Sequence, residues 1–244
     1  EANTGDDFQC RCLHQENQGQ NVARNTGLGV CSGEFIQFMD SDDLIHRRKV
    51  ELGVEAARQD PDVDIVVSWV RRFTDESEVG GWVTEELTPR KSRVNPERPP
   101  RYASIRWDLW QPLFRHDLIV RCGMLDDIRA GRSYAYMVRL KLHSRKTEHL
   151  PYSLSYYRQG LENSMVRCSH HVRVSSNLQT LRCIADDLER FGITDACEWK
   201  ELTRFAFRTY RRAIVSGDRD LRSKSHAMMG ELARRALCRL AIPL

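Results

Sequence analysis

The chain is predicted to be an α/β protein with a mostly parallel sheet, followed by a helical C-terminal region. Three observations carry this. Apolar runs at Phe35–Met39 and Val63–Val70 alternate with segments of helical periodicity, and such alternation implies strands joined by helical crossovers. The first run is apolar at nearly every position, as expected of a strand covered on both faces. Beyond about residue 174 the strand pattern stops, and apolar residues recur at helical spacing.

Taken in order, Phe8–His14 reads as a strand, with Cys10, Cys12 and His14 alternating onto one face. Asn21–Val30 reads as a helix opened by polar residues and closed near Ser32-Gly33. After the strand Phe35–Met39, Arg47–Arg58 is a helix with Val50, Leu52, Val54 and Ala57 inward, ended before Pro61. Between Thr74 and Arg101 the pattern dissolves around Gly80-Gly81, Pro89, Pro96, Pro99 and Pro100, with a short strand expected at Trp82-Val83. Irregular segments of this length are functional lids or mobile. Tyr102–Trp110 returns to the core through Ile105, Trp107 and Trp110. A helix over Ser133–His143 places Tyr136, Leu140 and Val138 or Met137 inward, and Leu150–Tyr157 is a closing strand. Three amphipathic helices follow over 174–191, 198–215 and 221–241. The expected division is 1–172 for the α/β part and 173–244 for the helical region.

Composition narrows the class. A chain of 244 residues builds one large domain, or one domain and an appendage. No stretch approaches the roughly 20 apolar residues of a membrane span. The net charge is +4, and the excess is local: residues 221–244 hold Arg222, Lys224, Arg234, Arg235 and Arg239 against Glu231. That distribution argues against a nucleic-acid partner. The eight cysteines form no Cys-x-x-Cys pair. They predict buried thiols in a reducing, cytoplasmic setting. Cys10, Cys12 and His14 form either a partial metal site, with no fourth ligand in view, or plain packing.

The chemistry-bearing feature is Asp40-Ser41-Asp42-Asp43, three carboxylates in four residues at the carboxyl end of an apolar strand. That is where an open α/β sheet places its ligand. Such a cluster is either a solvated acidic turn capping the helix near Arg47, or a site where a divalent cation bridges hard oxygens to a phosphate.

Asn17-x-Gly19-x-x-x-Ala23-Arg24-Asn25-x-Gly27, then Gly33-Glu34-Phe35-Ile36, then Asp40-Ser41-Asp42-Asp43 resembles the family-2 glycosyltransferases of the GT-A, Rossmann-like fold. The resemblance is strong from Gln15 to Arg72, weaker from Leu113 to Ser164, and absent beyond. It implies transfer of a sugar from a nucleotide-diphosphate donor to a hydroxyl of a glycan, lipid-linked or protein acceptor, with Mg²⁺ or Mn²⁺ and inversion. It implies Asp42 as metal ligand, with Asp40 second or on the ribose. Arg24 is expected on the donor's base or phosphate oxygens, or else in a surface salt bridge. Asn17 and Gly19 are expected to shape the donor loop. The family opens with a strand–helix–strand unit, so Glu1–Asp6 reads as the tail of its acidic loop and the first βαβ portion as missing.

The same resemblance makes Leu113-Phe114-Arg115 a strand ahead of a short helix, and Tyr156-Tyr157-Arg158 the family's Tyr-x-Arg ending, with Arg158 as a brace. It places the loop pair His170-His171 near the diphosphate, as ligands or as exposed side chains. Gly123–Asp127 matches the segment before the family's Glu-Asp base pair, and Tyr134 with Arg139-Leu140 matches the helix after it. The pair itself falls on Arg132-Ser133, and neither residue is a carboxylate base. The base is therefore Asp126 or Asp127, or another residue, or the domain is a non-catalytic binding or assembly module. The C-terminal helix gathers Leu221, Met228, Met229, Leu232, Ala236, Leu237 and Leu240 on one side. It either lies on an anionic membrane as a peripheral contact or packs on the fold.

Overall fold

The computed structural model describes residues 9–90, 102, 108–128, 133–160 and 169–240, with side chains to 238. Ile105, Trp107 and Arg132 lie outside the described residues. The α/β part begins with α1 (Gln20–Leu28), β1 (Phe35–Gln37), β2 (Leu44–Ile45), α2 (Lys49–Gln59) and β3 (Val63–Phe73). It continues through β4 (Leu113–Arg115), α3 (His116–Cys122), α4 (Tyr134–His143) and β5 (Lys146–Arg158). Three long helices follow: α5 (His170–Arg190), α6 (Ala196–Ser216) and α7 (Arg219–Leu240).

The five strands lie in the order β1-β4-β3-β5-β2. Only β3 and β5 pair in parallel; the other three pairings are antiparallel. The sheet is thus mixed, which corrects the mostly parallel expectation. The crossover through α2 does make β3 run in the direction of β1, as alternation implies. It leaves a gap one strand wide, and β4 fills it in the opposite sense. This also leaves β1 at an edge of the described sheet, not at its centre.

Alternation along β3 divides the core. Val63 and Val66 join Ala57 and Leu113 on the side covered by α2. Ile65 and Val67 join Ile36, Phe114, Leu118, Tyr136 and Leu140 on the side covered by α1, α3 and α4. The inward stripe of α2 runs through Lys49, Gly53 and Ala57. Val50, expected inward, is 43% exposed. A Cβ at Gly53 would stand 2.8 Å from Leu113 Cδ2, so glycine there lets the helix lie close on the sheet.

Residues 9–14 form no strand, and Cys10, Cys12 and His14 are all exposed. Their alternation reflects an extended chain that finds no partner strand among the described residues, and neither the packing nor the metal expectation holds there. Cys31, Cys197 and Cys238 are exposed as well, so only Cys122 is a fully buried thiol among the seven described. Burial pushes that thiol up to about 12. Trp82 and Val83 sit in successive turns closed on Val79, not in a strand.

The C-terminal helices share their core with α4. Ala135 and Val138 meet Leu181, Ile184, Leu188, Trp199, Leu202, Met228 and Leu232 in one cluster, while Tyr136, Met137 and Leu140 face the sheet. Every side of α4 but one is therefore apolar, which is why its periodicity is faint. The apolar side of α7 is used in this bundle: Leu221, Met228, Leu232 and Ala236 are buried, and among its described side chains only Leu237 is open, at 63%. Of the two alternatives for this helix, that burial supports packing on the fold. No helix among the described residues is long and apolar enough to cross a membrane.

Candidate functional site

The site is built from α1 outward. Gly19 precedes the helix with φ 98°, a conformation that disfavours side chains, and Asn17 Oδ1 accepts the Gly19 amide at 3.1 Å. One side of α1 then carries Asn21, Arg24, Asn25 and Leu28. Asn25 makes a reciprocal pair with the Leu125 backbone, donating at 2.9 Å and accepting at 2.8 Å. Asn21 Nδ2 donates to the Asp126 carbonyl at 2.8 Å. These two asparagines fix the loop before α4 against α1, a role that sequence reading missed.

Arg24 works between them. Its Nη2 donates to Asp40 Oδ1 at 2.6 Å, and its Nη1 to Ser133 Oγ at 2.6 Å. Gln20 Nε2 also reaches Asp40 Oδ1, at 3.2 Å. The Ser133 hydroxyl donates onward to Asn21 Oδ1 at 3.2 Å. Three segments far apart in sequence thus meet through one guanidinium: α1, the acidic turn and the start of α4. Ser133 is buried, but against this polar set rather than against the apolar core.

The acidic residues close a tight turn, with the Asp43 amide on the Asp40 carbonyl at 3.2 Å. The three carboxylates are treated differently. Asp40 is held by α1. Among the described residues, nothing hydrogen-bonds the Asp42 carboxylate, and its main-chain carbonyl accepts Arg158 Nε at 3.0 Å. Asp43 is 4% exposed; its Oδ1 accepts the Arg158 amide at 2.9 Å, while its buried Oδ2 has no partner. Burial, reinforced by the charges of Asp42 and Asp40, pushes Asp43 up to about 7. Lys49, also 4% exposed, donates from Nζ to the Trp110 carbonyl at 3.3 Å. Burial pulls it down to about 7, against the attraction of Asp43. Arg158 braces the turn as expected, and its Nη2 reaches Glu76 at 2.5 Å.

The remaining candidates separate. Asp126 accepts both contacts of Arg139 Nη2, at 3.1 and 3.0 Å, and Arg139 Nε also holds Asp187 at 3.0 Å. Asp126 thus joins α4 to α5. Asp127 is exposed, with no partner among the described residues. His170 and His171 begin α5 instead of lying in a loop, and His171 Nδ1 sits 3.0 Å from Asp218.

No three His, Cys, Asp or Glu side chains among the described residues form a ready metal cage. The donor set at the acidic turn nonetheless suits a hard divalent cation. Its oxygens are those of carboxylates, and the Asp42 carboxylate is unengaged among the described residues, while the orphaned Asp43 oxygen is buried beneath the turn.

Against this geometry, residues 1–117 match the model described as Glycosyl transferase family 2. The chain is similar to the uncharacterized glycosyltransferase EpsJ of Bacillus subtilis, at 24% identity over 79% of the chain and 57% of the relative. It is also similar to the uncharacterized glycosyltransferase YibD of Escherichia coli, at 26% over 70% of the chain and 54% of the relative. The glycosyltransferase GlyG of Streptococcus pneumoniae matches at 37% over 30% of the chain and 24% of the relative. The chain therefore spans about half the length of the longer-matching relatives. Residues 1–117 are thus similar to glycosyl transferase family 2, and the longer alignments to these relatives carry the same likeness.

Proposed function

We propose that the chain carries the donor site of a nucleotide-sugar-dependent glycosyltransferase, acting on a hydroxyl of a glycan, lipid-linked or protein acceptor. The observation that carries this is the 2.6 Å contact of Arg24 with Asp40, which joins the α1 motif to the acidic turn beside the unengaged Asp42 carboxylate. In this reading Asp42 is the metal ligand and Asp40 the second, through its free Oδ2 or by way of the ribose. Arg24 and the Asn17–Gly19 turn border the donor. Mg²⁺ or Mn²⁺ held there would offset the charge that builds on the departing diphosphate. Arg24 already carries one anion, so its guanidinium holds Asp40 in place and lends positive charge to the cleft. Arg158 fixes the turn's backbone from the β5 side, which keeps Asp42 aimed while Asp43 stays underneath.

Ser133 occupies the position where the family resemblance puts the base, and it lies one guanidinium away from Asp40. In this reading the base position stands beside the acidic turn and carries a hydroxyl in place of a carboxylate. Asp126 is committed to Arg139, which leaves Asp127 as the accessible acid of the two. This favours a second reading, a binding or assembly module that keeps the donor fold without transfer. The two are separated by measuring nucleoside diphosphate release from UDP-, GDP- and dTDP-sugars. Turnover lost in Asp127→Asn supports transfer with that base. Binding without turnover, with turnover appearing in Arg132→Glu combined with Ser133→Asp, supports the module. Neither binding nor turnover removes the donor site from the chain. The proposed setting is cytoplasmic, with the division at residue 172 separating donor fold from helical region.

A further inference from the structure

Among the described residues, the helical bundle leaves one face uncovered that its own core does not use. α6 buries Glu198, Trp199, Leu202, Ala206, Thr209 and Ala213. On the opposite side Lys200, Arg204, Arg208, Arg211 and Arg212 are all exposed. At the helical repeat these five, together with Phe207, Ile214 and Val215, occupy one arc of roughly 160°, extended over about 22 Å of helix. Arg204 is paired with Glu201. Among the described residues no carboxylate lies in ion-pair range of the other four. Within the same arc stand three apolar side chains with much of their surface in water: Phe207 at 49%, Ile214 at 48% and Val215 at 71%.

The geometry points to this face of α6 as a docking surface for an anionic lipid bilayer. A row of cations on one helix side, four of the five without an ion-pair partner among the described residues, selects a negatively charged partner. The interspersed Phe207, Ile214 and Val215 select among such partners. A phosphate-lined duplex or an acidic protein surface gives these apolar groups nothing to enter, whereas a bilayer interface takes them between its headgroups. Long arginine stems let the guanidinium groups reach phosphates while their methylenes follow the apolar residues down. The surface is preformed, because the opposite side of α6 is locked into the bundle. α7 lacks this combination: Arg235 is drawn in against Trp199, Glu189 and Glu231, and among the described side chains of its apolar side Leu221, Met228, Leu232 and Ala236 are buried.

The test is co-sedimentation of the intact chain with phosphatidylcholine vesicles, with and without phosphatidylserine, at low and high salt. No donor is present, so the outcome is independent of transfer activity. Expected is binding to the phosphatidylserine vesicles that fades with salt. The triple variant Arg208→Glu, Arg211→Glu, Arg212→Glu should weaken it at least ~100-fold. Phe207→Ser with Val215→Ser should weaken it about 10-fold at unchanged charge. Circular dichroism confirms the fold of each variant, and Arg211→Gln with Arg212→Gln replaces the charge reversal if that one unfolds. No binding to anionic vesicles at low salt overturns the inference. So does unchanged binding in either variant class, or equal binding to vesicles without phosphatidylserine.

Discussion

At the scale of single residues, the chain uses arginines to hold acids in place, and the consequences differ with burial. Arg24 is the hinge of the candidate site, since it touches both the acidic turn and Ser133. Arg24→Met should weaken Mn²⁺-dependent binding of UDP about 10-fold, through loss of one charge-assisted contact and release of Asp40. Calorimetry reads this directly, and unchanged affinity would show that Asp40 needs no such support. Asp64 offers the structural counterpart. It is fully buried in β3, with Arg121 at 2.9 Å and Arg145 at 2.8 Å. Burial opposes its charge, but Arg145 and Arg121 more than offset this, and the carboxyl stays below its ordinary range. A depressed carboxyl binds fewer protons folded than unfolded. Its contribution is complete above the unfolded value near 3.8 and is lost as pH falls through the lower folded value. Asp64→Asn should cost about 2 kcal/mol at neutral pH, or roughly 4–8 °C in Tm, and flatten the acid limb of a Tm-against-pH curve. A parallel downward shift at every pH would assign the loss to packing instead.

At the scale of elements, α1 is a polar clamp as much as a packed helix. Asn25→Ala removes both of its contacts to Leu125 and leaves two backbone groups without partners. The expected cost is about 2 kcal/mol in urea unfolding, with donor binding weakened because the clamp also sets Ser133 against Arg24. A stability loss with intact binding would separate the clamp from the site. Here the limits of sequence reading are visible. The helices over α1, α2 and α5–α7 were legible because their periodicity is local, whereas α4, apolar on most sides, was legible mainly from the resemblance of Tyr134 and Arg139-Leu140 to the family's helix. The acidic turn was legible too, since it follows directly from an apolar run. The partners of Asn21 and Asn25 were not, because they are backbone groups about a hundred residues away with no side-chain signature. The place of β4 between β1 and β3 was equally hidden, since pairing register depends on contacts that no local pattern encodes. Lys49 escaped notice because a charged residue at a helix start reads as solvated, whereas here it is buried against Trp110.

At the scale of the whole molecule, α4 belongs to two cores at once. It gives Tyr136, Met137 and Leu140 to the sheet side and Ala135 and Val138 to the helical bundle. Arg139 reinforces the junction by holding Asp126 and Asp187 together. Removing α5–α7 by ending the chain at residue 168 should therefore expose an apolar flank of α4 and yield a dye-binding, poorly cooperative species. A truncated chain with a sharp thermal transition would show instead that the donor fold stands alone. The central claim is that the acidic turn and Arg24 form a metal-assisted nucleotide-diphosphate site. Its most direct test is calorimetric titration of UDP and GDP with and without Mn²⁺, in the natural chain and in Asp42→Ala. Linked sites require that metal and nucleotide each raise the other's affinity. The expected result is binding of at least one nucleotide that depends on Mn²⁺ in the natural chain and loses that dependence in Asp42→Ala. Metal-dependent binding that survives Asp42→Ala undiminished contradicts the assignment.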